Sequence, residues 1–452
     1  MMGDFVFNRD GIETFRFVRV DFDPATGRAE LVYAFDHGPE LIETLVFPGA
    51  PFALPPERET AVRAALALAH LIAGVSYYKA AIPKHIVVET GGLAPELAAL
   101  LVSVYENGLG EFAYRNGLSL RGRIAFPESA ESTPDAPALG LSRTALTAIG
   151  GGKDSLVTVE ALRAAKVEQR AAFIGSSPLI ATCIEATGLP ALNVQRQLSP
   201  LLFEYNKQGA YNGHIPVTAV NSSILVVAAL LAGAGQVVFS NERSASYGSL
   251  IPGTGEVNHQ WSKGWDFERE FAAHVRRFIA ADLDYYSLLR PLSELAVARQ
   301  FAKTDRYDAV FSSCNRNFHL LGPKPSSRWC GQCPKCEFVF LALAPFVPKP
   351  RLTAIFGGNL LDEPALAPGF DALLEFEAHK PFECVGEGRE ARAAFAELAS
   401  RAAWREDALV HRFATQIAQQ IEAEPLADLL VVEGEHGIPA SVWESVSEIF
   451  RA

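Results

Sequence analysis

The pattern of apolar and polar positions changes character along the chain. Near the N-terminus, residues 16–21 and 28–35 alternate around a turn-forming segment at 24–27, which predicts a β-hairpin. Residues 59–73 are rich in Ala and Leu at helical spacing and predict a helix. The polar, Pro-rich segment 127–137 has no periodicity and is typical of a linker. These features predict an N-terminal α+β domain over residues 1–137.

Beyond the linker, short apolar runs alternate with helical stretches. The expected strands are 143–149, 170–174, 191–194, 236–240 and 307–312, and the expected helices are 155–165, 179–187 and 216–232. This alternation predicts an α/β fold with a parallel, doubly wound sheet over residues 138–350, and ligands in such sheets bind beyond the carboxyl ends of the strands. Residues 351–452 look mainly helical. Their apolar face is expected to pack on the body of the protein and consists of Val410, Phe413, Ile417 and Ile421.

Composition and charge narrow the classes of function. The chain has 452 residues, 49% of them hydrophobic and 20% charged, which is ordinary for a globular protein. A net charge of −12 argues against a broad nucleic-acid surface, and an anionic substrate would need a local cluster of Lys and Arg. The first 15 residues have no apolar core of a signal peptide, and Gly and Gln interrupt the longest apolar stretch, 224–239. We therefore expect a cytoplasmic protein without a membrane partner.

A glycine-rich turn joins the strand at 143–149 to the next helix and consists of Gly150, Gly151, Gly152, Lys153, Asp154 and Ser155. Glycines let the backbone approach a ligand, and the helix N-terminus offers free N–H groups to phosphate. Thr147 and Asp154 exclude a Walker A loop, and Ser155 excludes a dinucleotide fingerprint. Lys, Asp and Ser together fit ATP with Mg²⁺, cleaved between the α and β phosphates. A glycine-rich turn without a ligand is the alternative.

Four cysteines are clustered as a candidate metal site: Cys314, Cys330, Cys333 and Cys336. Four thiolates suit a tetrahedral structural Zn²⁺, although an iron–sulfur cluster also takes four cysteines. Buried thiols without metal are the third reading, which the Cys-x-x-Cys-x-x-Cys spacing disfavours. The two remaining cysteines, Cys183 and Cys384, are expected to be buried hydrophobic residues or to have an unassigned role.

Polar side chains concentrate in three further segments, 205–216, 240–246 and 258–266. The side chains of interest are Lys207, His214, Asn241, Glu242, Arg243, His259 and Lys263. Taken singly, each segment is more commonly a turn or a helix cap. Together with the glycine-rich turn in one α/β unit, they favour a catalytic site in which His and Glu transfer protons and the cations attract an anionic substrate.

These motifs resemble known families. The turn at 150–155 is similar to the Ser-Gly-Gly-x-Asp-Ser signature of the PP-loop ATP pyrophosphatases, with Gly150 in place of the first Ser. The cysteine spacing resembles that of the 7-cyano-7-deazaguanine synthases, another PP-loop group with a Cys₄ zinc. The strings YNGHIPVTAVNS, SNERSAS and NHQWSK resemble the MurL family of UDP-N-acetylmuramoyl-L-alanyl-L-glutamate epimerases, and this likeness covers nearly the whole chain.

The MurL resemblance implies a reaction in peptidoglycan precursor synthesis. The terminal L-Glu of a UDP-linked muramoyl dipeptide would be inverted to D-Glu while ATP is split to AMP and diphosphate. Residues 150–155 would hold the phosphates, with Asp154 on Mg²⁺ and Lys153 beside the leaving diphosphate. Proton transfer would fall to residues among His214, Glu242 and His259, and nucleotide contacts to Asn241, Arg243 and Lys263.

Two alternatives stay open at this point. One is another adenylating enzyme of the PP-loop group, a ligase or amidase similar to the 7-cyano-7-deazaguanine synthases. The other is a nucleotide-binding zinc protein without turnover. The net charge of −12 argues against a tRNA substrate, and the motifs leave the oligomeric state open.

Overall fold

A nine-stranded sheet organises the fold in the computed structural model, which describes residues 5–130, 133–251, 255–318 and 324–452. The strand order is β11-β8-β5-β6-β7-β3-β2-β1-β4, and β9 and β10 form a separate two-stranded antiparallel sheet. The strands are β1 (Thr14–Asp23), β2 (Arg28–Phe35), β3 (Leu41–Val46), β4 (His85–Val88), β5 (Ser142–Ala148), β6 (Gln169–Ile174), β7 (Ala191–Gln197), β8 (Ala234–Phe239), β9 (Ser249–Ile251), β10 (Gly255–Val257) and β11 (Asp284–Ser287).

The helices cover both faces of this sheet and form most of the C-terminal part. They are α1 (Pro56–Ala73), α2 (Val75–Tyr78), α3 (Pro95–Gly108), α4 (Gly110–Arg115), α5 (Lys153–Ala164), α6 (Pro178–Thr187), α7 (Pro200–Lys207), α8 (Val217–Ala232), α9 (Trp265–Phe278), α10 (Glu294–Ala302), α11 (Asn315–Phe318), α12 (Pro334–Leu343), α13 (Lys349–Phe356), α14 (Ala367–Leu374), α15 (Gly388–Ala399), α16 (Ala408–Arg412), α17 (Leu426–Leu429) and α18 (Ala440–Arg451). Short 3₁₀ turns lie at Arg9–Gly11, Arg243–Ser246, Trp261–Lys263, Leu360–Asp362 and Pro364–Leu366, and a π-helical turn lies at Phe413–Ile417.

The N-terminal strands continue the sheet of the α/β part. β1 and β2 form the expected antiparallel hairpin, and β3 extends it. β3 also pairs antiparallel with β7, through Thr44 to Val46 against Gln197 to Gln195. The hydrogen-bonded sheet therefore crosses the expected boundary at residue 137. The division into domains at that residue stays a prediction, and part of the expected linker, residues 131–132, lies outside the described residues.

The parallel part of the sheet confirms the α/β fold. β5, β6, β7, β8 and β11 run parallel, with helices between them. The strand expected at 307–312 is wrong, because this segment forms turns and the edge strand is β11. Tyr307 and Phe311 are buried all the same. A short apolar run indicates that a segment is buried, but it does not distinguish a strand from other buried backbone. Here the segment is buried against helices.

Apolar helices are buried in the core of the protein. Among the described residues, the helical stretch Pro56–Tyr78 is long and apolar enough to cross a membrane, with a mean hydropathy of 1.3, and 78% of its most apolar window is buried in the fold. It packs against α8, which is itself buried around most of its circumference. Burial against the sheet and α8 accounts for its composition. The expected apolar face of the C-terminal part also packs inward, with Val410, Phe413 and Ile417 buried.

Candidate functional site

The glycine-rich turn connects the carboxyl end of β5 to the first residue of α5, Lys153. Gly151 has a φ of +84°, a conformation that favours glycine. Its carbonyl accepts a hydrogen bond from the Ser312 N–H at 2.9 Å, and a Cβ at Gly152 would lie 3.3 Å from the Cβ of Ser313. A Cβ at Gly150 would meet nothing within 4 Å. The turn is therefore packed against residues 312–313 on one side and open on the other.

Lys153 lies beneath this turn with its ammonium group enclosed. Its side chain is 1% exposed and forms ion pairs with Asp154 and with Glu294, the first residue of α10. Burial opposes the charged form, but the carboxylates of Asp154 and Glu294 raise the pKa of Lys153. Burial likewise opposes the charge of Asp154, and Lys153 holds the pKa of that carboxyl below its usual range. The pair is charged at neutral pH, and the side chain of Asp154 is 26% exposed.

Glu242 follows β8, the strand next to β5, so its carboxylate belongs to the same edge of the sheet. Its side chain is buried, and Oε1 has no hydrogen-bond partner among the described residues. Burial, reinforced by the charges of Glu294 and Asp154, raises the pKa of Glu242 to about 7. A carboxyl group that titrates near neutral pH can both accept and return a proton.

The two expected histidines lie together against a carboxylate that the motifs did not include. Glu111, on α4, accepts a hydrogen bond from His259 Nδ1 at Oε2 and from Arg115 Nε at Oε1. The ring centroids of His214 and His259 are 4.1 Å apart. Burial opposes the charge of His259, but Cys384 and Glu111 raise its pKa to about 9. Burial and the charge of His259 lower the pKa of His214 to about 4, so the imidazole of His214 is neutral.

Cys384 completes this group and was expected only as a buried or unassigned cysteine. The Lys263 ammonium lies 3.3 Å from its Sγ, and the charge of His259 also acts on the same sulfur. Burial opposes the thiolate, but Lys263 and then His259 lower the pKa of Cys384 to about 5. Lys263 also interacts electrostatically with Asp154 and Glu242. The thiolate therefore interacts with the same charged groups as the glycine-rich turn. We call this group the charge cluster, and it consists of Lys153, Asp154, Glu242, Lys263, Glu294 and Cys384.

Other expected residues point elsewhere. The Asn241 amide donates to the Ser287 hydroxyl at 2.9 Å, which ties β8 to β11. The Arg243 guanidinium pairs with Glu433 at 2.9 Å, and Lys207 is an exposed partner of Glu204. Of the cations expected to serve an anionic substrate, the structure brings only Lys153 and Lys263 into the charge cluster through their described contacts.

Sequence reasoning missed Glu111, Glu294 and Cys384. Each stands alone in the sequence, without a motif, and each meets its partner across a long separation: 148 residues from Glu111 to His259, 141 from Lys153 to Glu294 and 121 from Lys263 to Cys384. The only local signal is the Ser293 cap before Glu294, which indicates a helix start and no more.

Glu111, His214 and His259 each offer one ligand atom within 4.8 Å of the others, a spacing that a divalent cation could also use. Arg115 already occupies the second oxygen of Glu111, and the charge of Lys263 acts on His214. A further cation would be repelled by both. We therefore interpret Glu111 and His259 as a hydrogen-bonded pair, with the ring of His214 packed against that of His259, rather than as a metal site.

The four clustered cysteines lie at the N-terminus of α12. Their sulfur atoms are all within 4.8 Å of one another, with Cys333 and Cys330 at 3.5 and 3.7 Å from Cys336. A tetrahedral ion with Zn–S bonds of about 2.3 Å places its sulfurs ~3.8 Å apart, so this arrangement could bind one structural zinc. Lys335, inside the same motif, contacts the Cys384 carbonyl and lies 3.9 Å from Glu294. The cysteine motif thus positions Lys335 beside two members of the charge cluster.

Taken together, the fold and the site define an α/β protein with a glycine-rich turn after a parallel strand and a buried cluster of titratable side chains that interact with it. Family models assign the same chain: the MurL N-terminal domain matches residues 6–288, and the MurL C-terminal domain matches residues 310–427. The protein belongs to the MurL family.

Curated relatives agree over nearly the full length. A protein of Xanthomonas oryzae pv. oryzae is 66% identical over 98% of this chain and 99% of its own length. Proteins of Salinispora tropica and a Micromonospora species are 45% and 42% identical over 88% and 97% of this chain, and 88% and 98% of their own lengths. All three are named UDP-N-acetyl-alpha-D-muramoyl-L-alanyl-L-glutamate epimerase. This protein is accordingly an epimerase, an enzyme of the isomerase class.

Proposed function

We propose that this protein inverts the terminal L-Glu of UDP-N-acetylmuramoyl-L-alanyl-L-glutamate and uses ATP to adenylate the glutamate carboxylate, releasing AMP and diphosphate. The substrate follows from the names of the relatives. The ATP step is supported by one observation above all: the turn at 150–155 lies in the same charge cluster as Glu242 and Lys263.

Adenylation solves a physical problem of this reaction. Removing the Cα proton of glutamate builds negative charge beside a carboxylate that is already negative, which is strongly unfavourable at such short range. Joining the carboxylate to AMP removes its charge and leaves a carbonyl that can share the new charge. A base then takes the proton, and reprotonation from the opposite face gives D-Glu. Glu242, with its pKa of about 7, is suited to one of these transfers.

The residues at the turn match the needs of ATP. The free N–H groups of 150–155 and the N-terminus of α5 can hold phosphate oxygens, and Asp154 is accessible to hold Mg²⁺. Lys153 keeps Asp154 ionised and supplies positive charge below the phosphates. Lys263 is the cation that we place beside the glutamate. The nucleotide contacts of Asn241 and Arg243 stay predictions.

Two parts of the proposal concern the setting of the enzyme. The cysteine motif would hold a structural Zn²⁺ that fixes the start of α12 and, with it, Lys335. The enzyme would be cytoplasmic, where nucleotide-linked precursors are made. Its net charge is −12, so an anionic substrate needs local cations, which Lys153 and Lys263 would supply. Nucleic acid and membrane have no part in the proposal.

The test is an assay of all products in deuterated water. With ATP, Mg²⁺ and the UDP-dipeptide, we expect equal AMP and diphosphate, D-Glu on chiral analysis, and deuterium at Cα. Asp154→Asn should lower AMP and diphosphate formation by ~100-fold or more. The exposed change Asp428→Asn, on α17, is the matched control and should have no effect. Epimerisation without ATP cleavage would contradict the adenylation step, and amide formation with ammonia would favour a ligase.

A further inference from the structure

Glu111, His259 and Cys384 form a row of interacting side chains, and Cys384 connects this row to the charge cluster. The carboxylate of Glu111 accepts a hydrogen bond from Nδ1 of His259, and the charge of the same imidazolium acts on the sulfur of Cys384. A nucleophile beside a base that is oriented by a third polar group is the usual arrangement for covalent catalysis. Lys263, 3.3 Å from the sulfur, adds a second positive neighbour.

This row interacts with the residues that we propose for the adenylation step. Lys263 acts on Asp154 as well as on Cys384, and Lys335 joins the Cys384 carbonyl to Glu294, the partner of Lys153. Glu242, buried and within the field of Lys263, leaves Oε1 without a partner among the described residues. An unsatisfied buried carboxylate oxygen is costly, and its presence here indicates that a ligand completes the site.

Cys384 and Glu242 differ in pKa and therefore suit different steps of the reaction. With a pKa of about 5, Cys384 is a thiolate at neutral pH, a form that attacks carbonyl carbon readily but is a weak base toward a C–H bond. Glu242, with a pKa of about 7, is better matched to proton transfer. The thiolate therefore fits the acyl carbon, and the carboxylate fits Cα.

We propose that Cys384 is a catalytic nucleophile that accepts the glutamyl group from AMP, so that Cα is inverted in a thioester. This inference rests on the proposed function and deepens it. The thiolate sulfur forms a bond to the acyl carbon, the bond from that carbon to the AMP oxygen breaks, and AMP leaves with the electron pair. No proton is consumed, because the sulfur is already deprotonated. The thioester holds the substrate in place, with its carboxyl group uncharged, between the two proton transfers at Cα.

The same side chains can also hydrolyse the thioester and release the product. Acylation removes the negative sulfur that raises the pKa of His259, so the imidazolium can lose its proton to the medium. The neutral ring then takes a proton from an attacking water. The carbon–sulfur bond breaks, the carboxylic product leaves, and the thiolate and its imidazolium partner are restored. Glu111 keeps the ring oriented throughout.

The test compares the two ATP products in Cys384→Ala and in the wild-type enzyme, after rapid mixing with ATP, Mg²⁺ and the UDP-dipeptide. In wild type, AMP and diphosphate should appear together. In Cys384→Ala, diphosphate should appear as a single burst of about one per enzyme, while AMP release slows ~100-fold or more and no D-Glu forms. The burst itself shows that the ATP site of the variant is folded.

A second measurement follows the covalent bond in the wild-type enzyme. Acid quenching during turnover should reveal a protein adduct of the substrate mass less one water, located on the peptide that carries Cys384, removed by neutral hydroxylamine and absent without ATP. AMP release at the wild-type rate from Cys384→Ala would overturn the thioester and leave the adenylation intact. If that variant gives no burst, absence of the adduct from wild type overturns the inference. A wild-type enzyme that forms no diphosphate refutes the proposed function itself.

Discussion

The ammonium of Lys153, in the first turn of α5, pairs with the carboxylate of Glu294, in the first turn of α10, and their side chains are only 1% and 2% exposed. Two ions that are excluded from water must compensate each other, because either one alone would bear the full cost of desolvation. The pair ties the glycine-rich turn to a helix 141 residues further along the chain.

Glu294→Gln should therefore destabilise the fold. Removal of one member leaves the Lys153 ammonium buried with Asp154 as its remaining partner, and such changes cost about 3–5 kcal/mol of unfolding free energy. Urea denaturation measures the difference. The control is Glu204→Gln, which breaks the exposed pair with Lys207 and should cost about 0–1 kcal/mol. Equal losses in the two variants would contradict the assignment.

Replacement of Glu242 tests proton transfer apart from ATP cleavage. Glu242→Gln should lower deuterium uptake at Cα by about 10²–10⁴-fold, while the diphosphate burst persists. In wild type, uptake should rise with pH through about 7, because the carboxyl must lose its proton to act as the base and burial raises its pKa to that value. Glu444→Gln, at an exposed position on α18, is the control. A pH profile that is flat from 6 to 8, roughly one unit either side, would argue against Glu242 as the base.

The acidity of Cys384 should depend on its two cationic neighbours. Lys263→Met and His259→Gln each remove a positive charge close to the sulfur, so each should raise the pKa of the thiol. The pH dependence of iodoacetamide alkylation at Cys384, followed on the peptide, measures this. Wild type should react down to about pH 5. An unchanged profile in both variants would show that the thiolate is not stabilised by this cluster.

The cysteine motif should contain zinc. Metal analysis should find about one Zn²⁺ per chain, and its removal by a chelator should lower the unfolding temperature because a structural zinc contributes to folding free energy. Cys336→Ser should reproduce the loss, and added zinc should reverse the effect of the chelator. Iron with visible absorbance in place of zinc would show that the four sulfurs bind a cluster instead.

Local patterns were enough for much of the fold. The hairpin of β1 and β2, the alternation from β5 to β8 and the helix after the glycine-rich turn all follow from periodicity and turn residues within short windows. The cysteine motif is likewise local, because three of its four members lie within seven residues. Such features depend on neighbours in the chain, and the sequence shows those neighbours directly.

Tertiary structure alone decided the rest. Periodicity predicted a strand at 307–312, a segment that is buried against helices instead. It also gave no indication that β3 pairs with β7, the contact that joins the N-terminal strands and the parallel strands into one sheet.

The sequence by itself determined that the chain has a glycine-rich turn before a helix, a four-cysteine motif and a set of candidate acids and bases. It could not show that Glu294 pairs with Lys153, that Glu111 orients His259, or that Lys263 makes Cys384 acidic. Each of these properties arises from the field of a charge more than 100 residues away along the chain. Charge and reactivity depend on distance in space and on the exclusion of water, and only the folded chain defines both.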